Sequence, residues 1–178
     1  MRVIFMRHGE SEYNLRKLCN ADPAVAVGLT EDGRAQSRRA AQRWRDLPFG
    51  RVYVSRLQRA QETAAIVCGG HCPAICVDAR LDDRRTGYEG RPVETYLRAM
   101  GAAPDPFDWK AGDGESYREM VARVDDFLDD LAGAGAQSAL VVTHHEVLQA
   151  VAGRFRRLDL DAMWRVWLGH CETLSFEL

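Results

Sequence analysis

Two histidines and two arginines in this chain each stand just past a short apolar run, a placement that suits an anion held around a nucleophile. Val3-Ile4-Phe5-Met6 ends at Arg7-His8-Gly9, Val52-Tyr53-Val54 leads to Arg59, and Ala139-Leu140-Val141-Val142 leads through Thr143 to His144. Guanidinium is a fixed cation whose planar fork matches phosphate oxygens. Imidazole changes charge near neutral pH and can attack as a nucleophile when neutral. Phosphoryl transfer needs in-line positioning and neutralised equatorial oxygens more than it needs covalent help. It is the chemistry this set of residues could perform.

The elements that must position these groups follow from the same pattern. The four-residue run Val3–Met6 has the length and bulk of a buried strand. Gly9 permits a close approach of a ligand or a second backbone, and Ser11 can cap a short helix carrying Asn14. Further strands are expected at 52–54, 75–77, 139–142 and 174–178, with helices between them. Thr30 is the expected N-cap of a helix running to about Leu47. Leu57, Ala60, Ala64 and Val67 have helical spacing, which places Arg59 in a first turn where free N–H groups and the dipole favour an anion. Arg56 fits an exposed ion pair better. Pro92 starts a helix to about Met100, and residues 101–114 form a Gly/Pro/Asp-rich connector. Ser116 and Glu119 form a capping box ahead of the apolar face Met120, Val124, Phe127 and Leu131. A helix after Glu146 carries Val147, Leu148, Val151 and Phe155, and a last helix is expected over 161–168. Strand–helix alternation predicts an α/β fold, a single-domain three-layer α/β/α sandwich over residues 1–178 with a mostly parallel central sheet. Ligands of such sheets bind beyond the carboxyl ends of the strands.

The run Arg7-His8-Gly9-Glu10-Ser11-x-x-Asn14 resembles a motif of the histidine phosphatase superfamily, which includes the cofactor-dependent phosphoglycerate mutases. Later segments are similar in the expected order: Ser55-x-Leu57-x-Arg59-Ala60-x-x-Thr63-Ala64, the stretch Leu81 to Gly90, and the strand end at His144. Leu29-Thr30-x-x-Gly33 with Gln36, and Gly114-Glu115-Ser116, also recur there. The resemblance implies a phosphoglycerate mutase-like fold and a phosphohistidine mechanism with no metal or other cofactor. Neutral His8 would attack phosphorus, and Arg7, Arg59 and His144 would stabilise the developing charge. The family places an acid two residues after Leu81, which falls on Asp83. This carboxyl would protonate the departing alkoxide and later deprotonate water. The sequence departs from the pattern in having Asp for the usual Glu, and in lacking one residue between Gly87 and Glu89, so Asp82 competes for the role. Ser11, Asn14, Arg84 and His145 are the expected substrate contacts, His145 standing where the family has Gly or another small residue.

Between Asp83 and Ser116 there is little chain for the insertion that closes over substrate in the mutases. Without closure, water reaches a phosphohistidine, so phosphomonoester hydrolysis is expected. The α-ribazole phosphatases and broad-specificity phosphatases look most similar among small members. Mutase-type phosphoryl transfer and a phosphate-binding module with little or no turnover are the alternatives.

Composition bounds the partners. The 178 residues carry 24 Lys plus Arg against 26 Asp plus Glu, a formal charge of −2, which argues against nucleic-acid or membrane-surface binding. The expected partner is a small phosphorylated substrate, with the chain acting as a monomer or homodimer. No apolar segment approaches the roughly 20 residues needed to span a bilayer. The first strand begins almost at Met1, so no signal peptide, a cytoplasmic location and five reduced thiols (Cys19, Cys68, Cys72, Cys76 and Cys171) are expected. Cys68-Gly-Gly-His71-Cys72 through Cys76 invites a zinc reading, but the spacing lacks the paired cysteines of a structural site at both ends. Helix termination at Gly69-Gly70 and packing account for the cluster.

Overall fold

The computed structural model describes residues 1–70, 72–133 and 135–178. The apolar runs form one five-stranded sheet of order β3-β2-β4-β1-β5, with β1 (Arg2–Arg7), β2 (Arg51–Val54), β3 (Ile75–Val77), β4 (Ser138–Thr143) and β5 (Thr173–Glu177). Strands β1, β4, β2 and β3 run parallel, and β5 pairs antiparallel with β1. Around the sheet lie α1 (Glu12–Leu15), α2 (Glu31–Trp44), α3 (Gln58–Cys68), α4 (Val93–Gly101), α5 (Tyr117–Ala132), α6 (His145–Arg156) and α7 (Leu160–Trp164).

The two central strands owe their continuous apolarity to helices on both faces. Val3, Phe5, Ala139 and Val141 pack with α5 and α6, while Ile4, Met6, Leu140 and Val142 pack with α2 and α3. Strand periodicity of two sends alternate side chains to opposite layers. Each fully buried aliphatic side chain contributes about 1.5–3 kcal/mol relative to exposure. The strands that carry the candidate site are therefore the most firmly held. The expected caps form: Thr30 accepts from Gly33 N at 2.9 Å, and Ser116 and Glu119 make the reciprocal box at the start of α5.

Three local expectations are corrected. Helix α2 ends at Trp44 instead of near Leu47, because Pro48 disfavours helical angles at the residue before it. The last helix covers Leu160–Trp164, not 161–168. There the Gln149 amide donates to the carbonyls of Trp164 and Val166 at 2.9 and 3.1 Å, which an extending helix would have used itself. Cys68 and Cys72, expected as thiols, are joined by a disulfide with Cα atoms 5.1 Å apart. Left-handed Gly69 turns the chain back at the end of α3 and brings the two within bonding range. Cys19, Cys76 and Cys171 are free, and His71 of the zinc reading lies outside the described residues. Among the described residues, no helix is long and apolar enough to cross a membrane.

Candidate active site

The register of β1 on β4 pairs Arg7 with Thr143, so His8 and His144 leave neighbouring parallel strands at one level. His8 N donates to Thr143 O at 3.0 Å, and the two imidazole centroids are 5.0 Å apart. The turn after His8 packs tightly on the start of α2. A Cβ at Gly9 would lie 2.5 Å from Gly33 O, and one at Gly33 would lie 2.0 Å from Glu10 O, so both glycines are needed for that approach. Gly9 N donates to Thr63 Oγ1 at 3.0 Å, and Thr63 donates in turn to Arg59 O at 2.7 Å. Helix α3 is thereby fastened to the His8 turn.

Arg59, in the first turn of α3 and 2 % exposed, is the hub. Its Nε donates to His8 Nε2 at 3.1 Å, and its Nη1 donates to Asn20 Oδ1. Its Nη2 reaches Asn20 O at 2.9 Å, Asp83 Oδ2 at 3.1 Å and His144 Nδ1 at 3.2 Å. Arg7 is clasped by the segment before β5: its Nη1 donates to Leu168 O at 2.6 Å, and its guanidinium carbon stands 5.9 Å from the Trp167 ring. Its Nε is a buried donor without a hydrogen-bond partner among the described residues.

These partners assign the imidazole tautomers. His8 Nδ1 lies 2.6 Å from Gly9 O, a carbonyl that can only accept, and Nε2 faces the Arg59 N–H, which can only donate. The proton therefore sits on Nδ1 and the lone pair on Nε2. Burial, then Arg59 and Arg7, hold the His8 pKa well below the usual imidazole range. Burial, then Arg59 and His8, do the same for His144. His144 is wholly buried, and its Nε2 lies 2.7 Å from Ser55 Oγ. Both rings are neutral near pH 7, as a nitrogen nucleophile must be.

Of the two aspartates open to the acid assignment, only Asp83 joins this hub. It bonds Arg59 and lies 3.7 Å from His144 Nδ1, with its side chain 30 % exposed. Asp82 is taken up by Arg56, accepting from its backbone N at 2.7 Å and from Nε at 2.7 Å. A cavity of about 120 Å³ opens between Arg59 and Asp83 on one side and Ser11, Asn14 and Tyr96 on the other.

The expected substrate contacts divide. Ser11 and Asn14 line the cavity and form a reciprocal cap, with Ser11 Oγ donating to Asn14 Oδ1 at 2.8 Å. Arg84 also lines it, but its guanidinium is committed: Nε donates to Glu146 Oε2 at 2.5 Å and Nη2 to Oε1 at 3.2 Å. His145 does not line the cavity. Its ring turns to Trp167, with centroids 4.7 Å apart, and to Gln149. Sequence reasoning missed Asn20, Glu89, Ser55 and Glu146. Asn20 Nδ2 donates to Glu89 Oε1 at 2.8 Å, and Glu89 Oε2 accepts from Ala21 N at 2.7 Å. Nothing in the irregular stretch around Asn20 marks it, whereas Ser55 opens the Ser-x-Leu-x-Arg run and could have been singled out.

Comparison with known proteins places the chain in a family. The family model described as "Histidine phosphatase superfamily (branch 1)" matches residues 3–178. An adenosylcobalamin/alpha-ribazole phosphatase of Salmonella typhimurium is 30 % identical over 171 residues, covering 92 % of this chain and 84 % of that protein. Fructose-2,6-bisphosphatase TIGAR B of Danio rerio is 33 % identical over 135 residues, 72 % of this chain, and the match spans 52 % of that longer protein. YhfR of Bacillus stearothermophilus superposes with a TM-score of 0.86 at 25 % identity, covering 99 % of this chain and 91 % of that one.

Proposed function

This chain belongs to branch 1 of the histidine phosphatase superfamily, and we propose that it hydrolyses small phosphomonoesters through a phosphohistidine formed on His8. The observation that carries this reading is the orientation of His8. Its Nδ1–H is tied to Gly9 O and its Nε2 lone pair faces the hub of Arg59. A phosphoryl group entering there takes over the Arg59 N–H groups now given to His8 and His144, and meets Arg7 Nε as a further donor. His8 Nε2 attacks phosphorus as the P–O bond to the alcohol breaks, and Asp83 delivers a proton to the departing oxygen. In the second half, Asp83 takes a proton from water, the water oxygen attacks phosphorus, and the P–N bond breaks to return neutral His8. Ser55 can either accept from or donate to His144 Nε2, which lets His144 present an Nδ1–H to a phosphoryl oxygen.

Relatives named as phosphatases support hydrolysis, and the guanidinium cations on the chain support a reaction without metal or other cofactor. The same reading takes residues 1–178 as one domain acting as a monomer or homodimer, because every group invoked comes from a single chain. The test is direct. Brief exposure to a labelled phosphomonoester followed by rapid quench should leave acid-labile, alkali-stable label, and His8→Ala should lose both label and turnover. Full activity in that variant would overturn the mechanism.

A further inference from the structure

The cavity beside Asp83 holds two more charges that the mechanism does not use. Arg84 is 2 % exposed, and its guanidinium carbon stands 5.1 Å from the Tyr96 ring and 5.7 Å from the Tyr117 ring. Glu146, the second residue of α6, meets it through two hydrogen bonds. Both line the cavity with Asp83 and Asn20. A buried bidentate pair of this kind cancels its own field at short range and keeps the arginine fork from a third partner.

Charge accounting then separates the two ends of a substrate. Arg7 and Arg59 face the phosphoryl group. Among the described residues lining the cavity, the remaining cation is Arg84, and it is neutralised by Glu146. Arg56, Arg85 and Arg123 line a different cavity that shares Asp83, where Arg56 is paired with Asp82 and Arg123 with Glu115. The volume of about 120 Å³ is below the roughly 300–1,000 Å³ of sites that enclose a drug-sized ligand, so the groups next to the ester oxygen sit close to these walls.

Taking the phosphomonoesterase reading as given, we infer that the Arg84–Glu146 pair selects phosphomonoesters whose alcohol carries no second anionic group, uncharged or ammonium-bearing, and rejects phosphocarboxylates and bisphosphates. A carboxylate entering the cavity loses hydration and finds the Arg84 fork already taken by Glu146, so the cost of its desolvation goes unrepaid on this wall.

Glycerol 1-phosphate and 3-phosphoglycerate make a matched pair that differ by a hydroxymethyl for a carboxylate. The native protein should show kcat/KM at least about tenfold higher for glycerol 1-phosphate, a discrimination of the size one unpaired charge provides. Glu146→Gln frees Arg84 and should shift that ratio about tenfold or more towards 3-phosphoglycerate. Arg84→Met with Glu146→Gln removes both charges and replaces the ion pair with neutral side chains, a change buried pairs often tolerate. It should return the ratio towards the native value, which keeps the idea testable if the single variant folds poorly. A native preference for 3-phosphoglycerate, or a ratio that Glu146→Gln leaves unmoved, would overturn the inference while phosphohistidine still formed. Absence of phosphohistidine and of turnover with either ester would sink the phosphomonoesterase reading itself.

Discussion

Asp83 Oδ2 lies 3.1 Å from Arg59 Nη2, so the candidate acid and the hub of the phosphate site touch directly. Its neighbour Asp82 has a side chain only 7 % exposed and is spent on Arg56 at 2.6 Å. The contact offers an entering phosphoryl group and a departing oxygen one shared neighbour, the Arg59 guanidinium. Once the phosphoryl oxygens take their share of that fork, the Asp83 carboxyl stands beside the ester they leave.

Asp83→Asn should therefore lower kcat/KM for alkyl phosphates by about 10²–10⁴, the usual worth of a general acid. p-Nitrophenyl phosphate, whose leaving group hardly needs a proton, should suffer far less in the phosphorylation step. Asp82→Asn should be mild on both substrates and cost about 1–2 kcal/mol of stability in urea unfolding, through the weakened bonds to Arg56. If Asp82→Asn is the crippling change instead, Asp83 is not the acid.

Asn20 is a positioning residue. It accepts from Arg59 through both Oδ1 and its backbone oxygen, and Glu89 holds it in place. Asn20→Ala should raise KM and weaken competitive inhibition by inorganic phosphate by about tenfold, since a hydrogen bond to a charged group contributes roughly 1.5–3 kcal/mol. Glu89→Gln should give a smaller change of the same kind. An unaltered phosphate inhibition constant in Asn20→Ala would remove the role.

Stability should fall on mild acidification. Burial lowers the pKa of His8, His144 and His145, and pushes His170 down to about 4. The unfolded chain binds these protons near pH 6.5 and the native state refuses them. Stability is thus greatest above pH 6.5 and is lost as pH falls from there towards the native values, by up to about 1.4 kcal/mol per pH unit for each imidazole. Glu146 and Asp125, both raised by burial, work in the opposite direction, but as two carboxyls against four imidazoles. Urea midpoints at pH 7.5, 6 and 5 should decrease in that order; a midpoint that rises between 6.5 and 5 contradicts the linkage.

Chelation should leave activity intact. The cations proposed to face the phosphoryl group are the guanidiniums of Arg7 and Arg59, which no chelator removes. Turnover after prolonged dialysis against EDTA should match the untreated enzyme. A loss reversed by zinc or magnesium would mean that the positive charge of the site comes from elsewhere.

Much of this architecture was legible in the chain because it is written in local chemistry. Val3–Met6 and Ala139–Val142 are apolar on both strand faces, Thr30 and Ser116 are hydroxyls placed to cap, and Gly69 ends α3. Parallel strands joined through helices deliver their carboxyl ends to one edge, so Arg7, His8, Arg59 and His144 had to gather there. Tertiary packing alone decided the partners that lie far apart along the chain. Arg59 and Asn20 are separated by 39 positions, and Arg84 and Glu146 by 62. A charge or an amide carries no sequence mark of its distant acceptor, and which acceptor it meets depends on how the loops settle onto the sheet. That is why Asp82 could compete with Asp83 on sequence alone, why the pairing of Arg84 with Glu146 was not foreseen, and why 165–168 left its helix for the loop that clasps Arg7.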